Sequence, residues 1–246
     1  MKAMILAAGL GTRLRPLTDT IPKALVELRG RTLLEIAIDR LKSFGVTEFI
    51  VNVHHHAEKI AGFLQSRNNF GVRIEVSRED DLLLDTGGGL RKASWFFLEK
   101  NSNEPFFLQN VDVLSSIDLR KMLESHKKSS ALATLAVMQR ASSRQLLFDH
   151  RNSLVGRRKE NQPDELVLPA RDPQPLAFCG IHIISPELLQ KNSEDGAFSI
   201  IDTYLRLAGS GEKISAFRAD SFYWRDLGRL EDLQQAEADY KKGLIS

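Results

Sequence analysis

The sequence predicts an α/β fold in which helices cover both faces of a mixed, mostly parallel central sheet. Three observations carry that expectation. The chain opens on an apolar run, Ala3 to Ala8, that breaks abruptly into a glycine-rich loop. Strand and helix signals then alternate through the first half, which calls for right-handed crossovers and parallel pairing with both sheet faces covered. From Ala131 onward, strand signals follow one another without helices between them, so antiparallel strands are expected there.

The elements follow in order. Ala3 to Ala8 reads as a buried first strand. Thr32 to Phe44 carries Leu33, Leu34, Ile36, Ala37, Leu41 and Phe44 at helical spacing. Glu48 to Val53 is β-branched and aromatic, a second strand. Ala57 to Leu64 reads as a helix, Arg73 to Val76 as a third strand and Pro105 to Leu108 as a fourth. Ala131 to Val137, Gln145 to Phe148 and Ala177 to Ile184 are the later strands. Lys159 to Pro175 is polar and proline-containing, and is expected to be a long loop. Helices return at Ile200 to Ala208 and Leu230 to Lys241.

Length and composition exclude several classes. At 246 residues the chain can bury one large core. The charge of +2 comes without a long basic block, which argues against a nucleic-acid surface. The only cysteine is Cys179, so no intrachain disulfide forms, and a cytoplasmic location is expected. No stretch approaches membrane-spanning length, and no leader signal is seen.

The most informative segment is Leu6-Ala7-Ala8-Gly9-Leu10-Gly11-Thr12-Arg13-Leu14-Arg15-Pro16-Leu17-Thr18, with Pro22-Lys23 beyond it. Glycines allow tight turns and close approach to a ligand, and successive N–H groups in such a loop form an anion nest. Arg13 and Arg15 add forked donors suited to phosphate, and Lys23 adds a point charge. The Gly-Lys-Ser/Thr ending of a P-loop is missing. Leu14 stands where a dinucleotide fingerprint needs a third glycine or alanine. A polyphosphate is the expected guest.

The pattern Leu-Ala-Ala-Gly-x-Gly-Thr-Arg-Leu-x-Pro-Leu-Thr…Pro-Lys resembles the signature of the sugar-phosphate nucleotidyltransferases. The resemblance spans nearly the whole chain and is weakest from about Ala141 to Pro175. It implies a single Rossmann-like domain over residues 1–246, with a nucleotide-binding half (1–115) and a sugar-phosphate-binding half (116–246). It implies a nucleoside triphosphate and a sugar 1-phosphate as substrates, with pyrophosphate released. By that resemblance Ala7, Ala8, Gly9, Gly11, Thr12 and Arg13 bind the nucleotide, with Arg13 and Lys23 acting in catalysis. Further matches extend it. Leu84-Asp85-Thr86-Gly87-Gly88-Gly89 resembles the segment that reads the base, which assigns Gly87 and Gly88 to the base edge and Asp85 and Thr86 as helpers. A flexible helix entry is the plainer reading of that glycine run.

Asn110-Val111-Asp112 follows an apolar strand, and a strand-end carboxylate near phosphates suits Mg²⁺. Val111 replaces the family's glycine. In Trp224-Arg225-Asp226-Leu227-Gly228 the resemblance makes Asp226 the second Mg²⁺ ligand, whereas its place before a helix also fits a cap. Phe178-Cys179-Gly180-Ile181 resembles the sugar-phosphate strand, with Gly180 as the backbone contact and Asn110 beside it. Cys179 reads as a small buried residue. His54-His55-His56 is set aside as a metal cluster, because neighbours on an extended chain diverge. Arg140, Arg144 and Arg151 default to solvated charge, although Arg144 could reach an acceptor phosphate.

The chain length, the Thr-Gly-Gly-Gly loop and the Trp-Arg-Asp-Leu-Gly ending favour the family's cell-wall-sugar uridylyltransferases. Mannose or heptose 1-phosphate guanylyltransferases, a phosphocholine cytidylyltransferase and a non-catalytic nucleotide-binding module are the alternatives. No hexapeptide-repeat segment is seen, so one activity is expected, in a monomer or small homo-oligomer.

Overall fold

In the computed structural model, residues 1–99 and 103–245 are described. The elements are β1 (Lys2–Leu6), β2 (Glu27–Leu28), β3 (Arg31–Thr32), α1 (Leu33–Ser43), β4 (Glu48–Val53), α2 (Ala57–Ser66), β5 (Arg73–Arg78), α3 (Asp85–Lys92) and α4 (Ser94–Leu98). They continue as β6 (Phe106–Asn110), β7 (Val113–Ser115), α5 (Leu119–Ser129), β8 (Ala133–Met138), β9 (Arg144–Phe148), β10 (Leu154–Lys159), β11 (Glu165–Leu166) and β12 (Gln174–Ile184). The chain closes with α6 (Glu187–Gln190), α7 (Ile200–Gly209), β13 (Ile214–Arg218), β14 (Trp224–Asp226) and α8 (Leu230–Lys241).

One mixed sheet runs β11-β10-β9-β12-β6-β1-β4-β5, with β8 also paired to β12 and β13 to β8. The strands β6, β1, β4 and β5 are parallel, as the alternating signals of the first half require. Side chains alternate across the sheet, so each face needs its own apolar cover. Ala3 and Ile5 of β1 pack with α1, α2 and α8 through Leu34, Ile60 and Leu233. Met4, between them, faces the opposite side with Leu90, Phe96 and Tyr204 of α3, α4 and α7. Helices therefore cover both faces, as expected.

The strand of Ala3 to Ala8 ends at Leu6, leaving Ala7 and Ala8 to begin the loop. The expected long loop from Lys159 to Pro175 is corrected. Its middle forms β11 against β10, and β12 already starts at Gln174. This hairpin is held by ion pairs rather than by apolar alternation: Arg157 to Glu165 at 2.7 Å and Arg158 to Asp164 at 2.7 Å. The helix α5 escapes notice for a similar reason, because its sequence is mostly polar or charged. It starts where Asp118 Oδ1 accepts the amides of Arg120 and Lys121 at 3.0 and 3.1 Å. Among the described residues no helix is long and apolar enough to cross a membrane.

Candidate active site

The loops that leave β1, β4 and β6 meet at one rim, beyond the carboxyl ends of the parallel strands. They enclose a cavity of about 470 Å³ lined by Ala7, Ala8, Gly9, Lys23, Asn52, Asp85, Thr86, Asn110, Val111, Asp112 and Ala197, among others.

The first loop is shaped by Gly11, whose φ of 65° lies in the left-handed region. A Cβ there would stand 2.8 Å from Thr18 Cγ2 and 3.1 Å from Lys23 Cβ, so glycine lets the loop press against the lysine. Thr18 Oγ1 donates to Gly11 O at 2.8 Å and holds that approach. Among the described residues, the N–H groups of Gly9, Leu10, Gly11 and Thr12 donate to no protein acceptor. They remain free for an anion.

Lys23 donates to Asp112 Oδ2, and both side chains are largely buried. Asp226 comes from a distant part of the sequence. Its strand β14 pairs antiparallel with β7, setting Asp226 opposite Val113. Leu227 N donates to Asp112 O at 2.8 Å, which locks the two segments together. Burial raises the Asp226 pKa from its ordinary value, and the Asp112 charge raises it further; Lys23 and Arg13 pull it down. Arg13 lies over the same corner, since a Cβ on Gly228 would stand 2.6 Å from its guanidinium and 2.4 Å from Asp226 Oδ1. Two acids and two bases thus converge. Asp226 does not cap α8: it accepts the Gly228 amide at 2.6 Å, while Arg229 holds the cap position.

At the position that the resemblance assigns to the acceptor, Gly180 sits in a left-handed kink of β12, with φ of 71°, where the register with β8 shifts. A Cβ there would reach within 3.0 Å of Asn110 Nδ2, so Gly180 and Asn110 face each other closely. The kink is braced by Trp224 Nε1 donating to Cys179 O at 2.8 Å and by Arg140, which stacks 4.0 Å over the Trp224 ring and donates to Phe178 O at 2.8 Å. Burial pushes the Cys179 thiol up to about 12, in keeping with a packing role.

The triple-glycine segment differs from expectation. Gly87 and Gly88 are buried inside α3, and their amides donate to Phe198 O at 2.9 and 3.4 Å. Their Cβ positions are blocked by Phe198 and Gly196 O. These glycines dock α3 against the 196–200 segment, so their amides are not aimed at a base edge. Asp85 and Thr86 line the cavity instead. Thr86 Oγ1 accepts the Ile200 amide at 3.0 Å. His54 Nδ1 donates to Glu79 O at 2.5 Å, and among the described residues no cluster of three metal-ligating side chains exists. Arg144 lines a second cavity, and Arg151 is exposed.

Sequence reading missed a buried relay. Asn52, at 2% exposure, accepts the Ala7 amide through Oδ1 at 2.8 Å and donates through Nδ2 to Glu79 Oε1 at 2.7 Å. Glu79, at 1% exposure, accepts the Leu84 amide through Oε2 at 2.9 Å. Two side chains thereby tie the first loop to the start of α3. The signal was an asparagine inside the apolar strand Phe49-Ile50-Val51-Asn52-Val53, since a buried amide demands partners. Reversing the relay tests it. Asn52→Asp alone sets acceptor against acceptor, and Glu79→Gln alone sets donor against donor. Each should raise the KM for the nucleotide about tenfold, on the scale of one unsatisfied buried group. In the double variant Asn52→Asp/Glu79→Gln, the introduced amide donates its N–H to the introduced carboxylate, and its carbonyl oxygen accepts from the Leu84 amide. KM should then return toward wild type.

A doubly covered sheet with an anion nest, a lysine and two carboxylates at its carboxyl rim defines a phosphate-transferring enzyme that handles a nucleotide. Residues 2–243 match the Nucleotidyl transferase family, and the chain belongs to the sugar-1-phosphate nucleotidyltransferases. It is 32% identical over 244 residues to N-acetylmuramate alpha-1-phosphate uridylyltransferase of Caulobacter vibrioides, covering 96% of this chain and 95% of the relative. It is 33% identical over 253 residues to the enzyme of the same name from Neisseria meningitidis serogroup B, with 97% of each chain covered. The fold matches HddC of Yersinia pseudotuberculosis, solved with GMP-PN, at a TM-score of 0.76 and 23% identity over 97% of this chain and 99% of that one.

Proposed function

We propose that the protein transfers the uridylyl group of UTP to N-acetylmuramate 1-phosphate, forming the UDP-sugar and pyrophosphate with Mg²⁺ as cofactor, as a cytoplasmic monomer or small homo-oligomer. The observation that carries the chemistry is the convergence of Arg13, Lys23, Asp112 and Asp226 beside the cavity. The choice of substrates rests on the near-full-length similarity to the two uridylyltransferases.

The residues fit a hard dication. Two carboxylates share a corner closely enough for Asp112 to raise the pKa of Asp226, and Mg²⁺ takes one or two carboxylates and completes its shell with substrate oxygens and water. Asp112 and Asp226 would hold it, and when bound it neutralises charge on the reacting phosphates.

In the reaction, a phosphate oxygen of the sugar 1-phosphate attacks the α-phosphorus in line. The bond from that phosphorus to the bridging oxygen breaks, and pyrophosphate leaves with the electron pair. The attacking oxygen is already ionised, so no side chain needs to take a proton. The protein's work is to hold two anions together. The free amides of Gly9 to Thr12 and the Arg13 guanidinium hold the departing pyrophosphate. Lys23 offsets charge at the α-phosphate as the second anion approaches. Ala7, Ala8, Asp85 and Thr86 flank the nucleoside, and Asn110 with Gly180 receives the acceptor phosphate.

The test is pyrophosphate release across ATP, GTP, CTP, UTP and dTTP against a panel of sugar 1-phosphates and phosphocholine. Release confined to UTP and N-acetylmuramate 1-phosphate, and lost in Asp112→Asn, is the expected result. Release with GTP and mannose or heptose 1-phosphate would replace the substrate assignment. Nucleotide binding without any release would favour a binding module.

A further inference from the structure

The second cavity, of about 640 Å³, is built on the hairpin of β9 and β10 and on β12; it is lined by Arg144, Arg157, Arg158, Lys159, Gln145 and Phe178, among others. Its charges are unevenly compensated. Arg157 pairs with Glu165 and, at 2.6 Å, with Asp202, and Arg158 pairs with Asp164. Arg144 and Lys159 are directly opposed in the antiparallel register, so both side chains leave the same face. Among the described residues neither the Arg144 guanidinium nor the Lys159 ammonium has an ion-pair or hydrogen-bond partner. Like charges directly opposite one another destabilise a strand pair. An anion between them reverses the sign of that interaction, and the arginine fork matches a carboxylate.

The cavity adjoins the candidate active site on two sides. Phe178 precedes Gly180 by two residues on β12, about 7 Å along a strand. The short segment Ala197-Phe198-Ser199 forms a shared partition, with Ala197 in the wall of the first cavity and Ser199 in that of the second. In this reading the sugar extends from a phosphate held at Asn110 and Gly180 toward this cavity. Among the described lining residues Arg157 and Arg158 already have carboxylate partners, which leaves Arg144 and Lys159 for a single added carboxylate.

We infer that Arg144 and Lys159 bind a carboxylate carried by the acceptor sugar, remote from its phosphate, and so select acidic sugar 1-phosphates over neutral ones. The inference deepens the reading above and rests on its acceptor being a sugar 1-phosphate.

The test compares acceptors that differ in an acidic substituent: N-acetylmuramate with N-acetylglucosamine 1-phosphate, and glucuronate with glucose 1-phosphate. Ratios of kcat/KM are measured in the wild type and in Arg144→Gln/Lys159→Gln. An acceptor that is not turned over is scored by its inhibition constant against one that is. A hydrogen-bonded charge pair corresponds to a preference of about tenfold or more in the wild type, and that ratio should fall to near one in the double variant. A wild-type ratio at or below one in both pairs, or a preference that survives the double variant, overturns the inference. The N-acetylmuramate reading fails separately, if the wild type prefers glucuronate 1-phosphate or rejects UTP. The variant also relieves a like-charge contact, so its melting midpoint should hold or rise, and a folding defect is not expected to mimic the loss.

Discussion

Lys23→Ala should lower kcat by about two to three orders of magnitude, the usual cost of removing one preorganised charge from a reacting phosphoryl or acyl centre. Lys23 stands between the glycine loop and Asp112, and among the described residues the nearby cation Arg13 lies instead toward Asp226 and Gly228. The fold should persist, because Lys23 sits on a short turn at the rim, and the apolar contacts there come from Ala24 and Val26. Circular dichroism together with pyrophosphate release decides the matter. A folded variant with near-normal turnover would remove Lys23 from the mechanism. Lys23→Arg supplies the control, since it keeps the charge while changing its shape.

Asp226→Asn should abolish most turnover and yet make the protein more stable at neutral pH. The sign follows from linkage. Burial and Asp112 hold the Asp226 pKa above its unfolded value. The folded state therefore binds the proton more tightly than the unfolded chain, and stability is lost as pH rises through the raised folded pKa. At pH 7 the ionised group opposes folding, and the neutral amide removes that opposition. The raised pKa belongs to the metal-free protein, because a dication held by Asp112 and Asp226 favours their ionised forms. Removing the Asp112 charge should lower the Asp226 pKa, whereas Lys23→Ala should raise it; carboxyl NMR titration reads both. A melting midpoint that drops in Asp226→Asn would contradict the account. The corner then trades stability for reactivity, as functional sites commonly do.

Much of the first half was legible because its physics is local. Period-two and period-3.6 patterns report which faces are buried, and the loop after β1 announces its chemistry through residue type. Asp112 could be proposed from its setting at a strand end and Asp226 from the family resemblance, but their meeting depends on β14 pairing with β7, a three-residue register that no local pattern encodes. Gly87 and Gly88 misled for a related reason. Glycine permits close approach without saying to what, and the partner turned out to be Phe198, more than a hundred residues away. The hairpin of β10 and β11 escaped because cross-strand ion pairs hold it, and a charged strand looks like a loop when read alone. Asn52 was visible as a polar residue in an apolar strand, but its partner Glu79 lies in an unremarkable acidic stretch.

The long strand β12 has a mechanical consequence. Its far end, Ile181–Ile184, is bonded to β6, which ends at Asn110, and its near end, Gln174–Leu176, is bonded to β9 close to Arg144. One continuous strand is thus bonded to β6, which supplies Asn110 to the first cavity, and itself supplies Phe178 to the second. The two walls cannot swing apart as hinged jaws without breaking sheet hydrogen bonds, so adjustment to substrates falls to the loops at the rim. The outer hairpin of β9 and β10, in contrast, joins the sheet through β9 and one bridge from Ser153 to Ser215. It can exchange its side chains while the corner of Lys23, Asp112 and Asp226 stays in place.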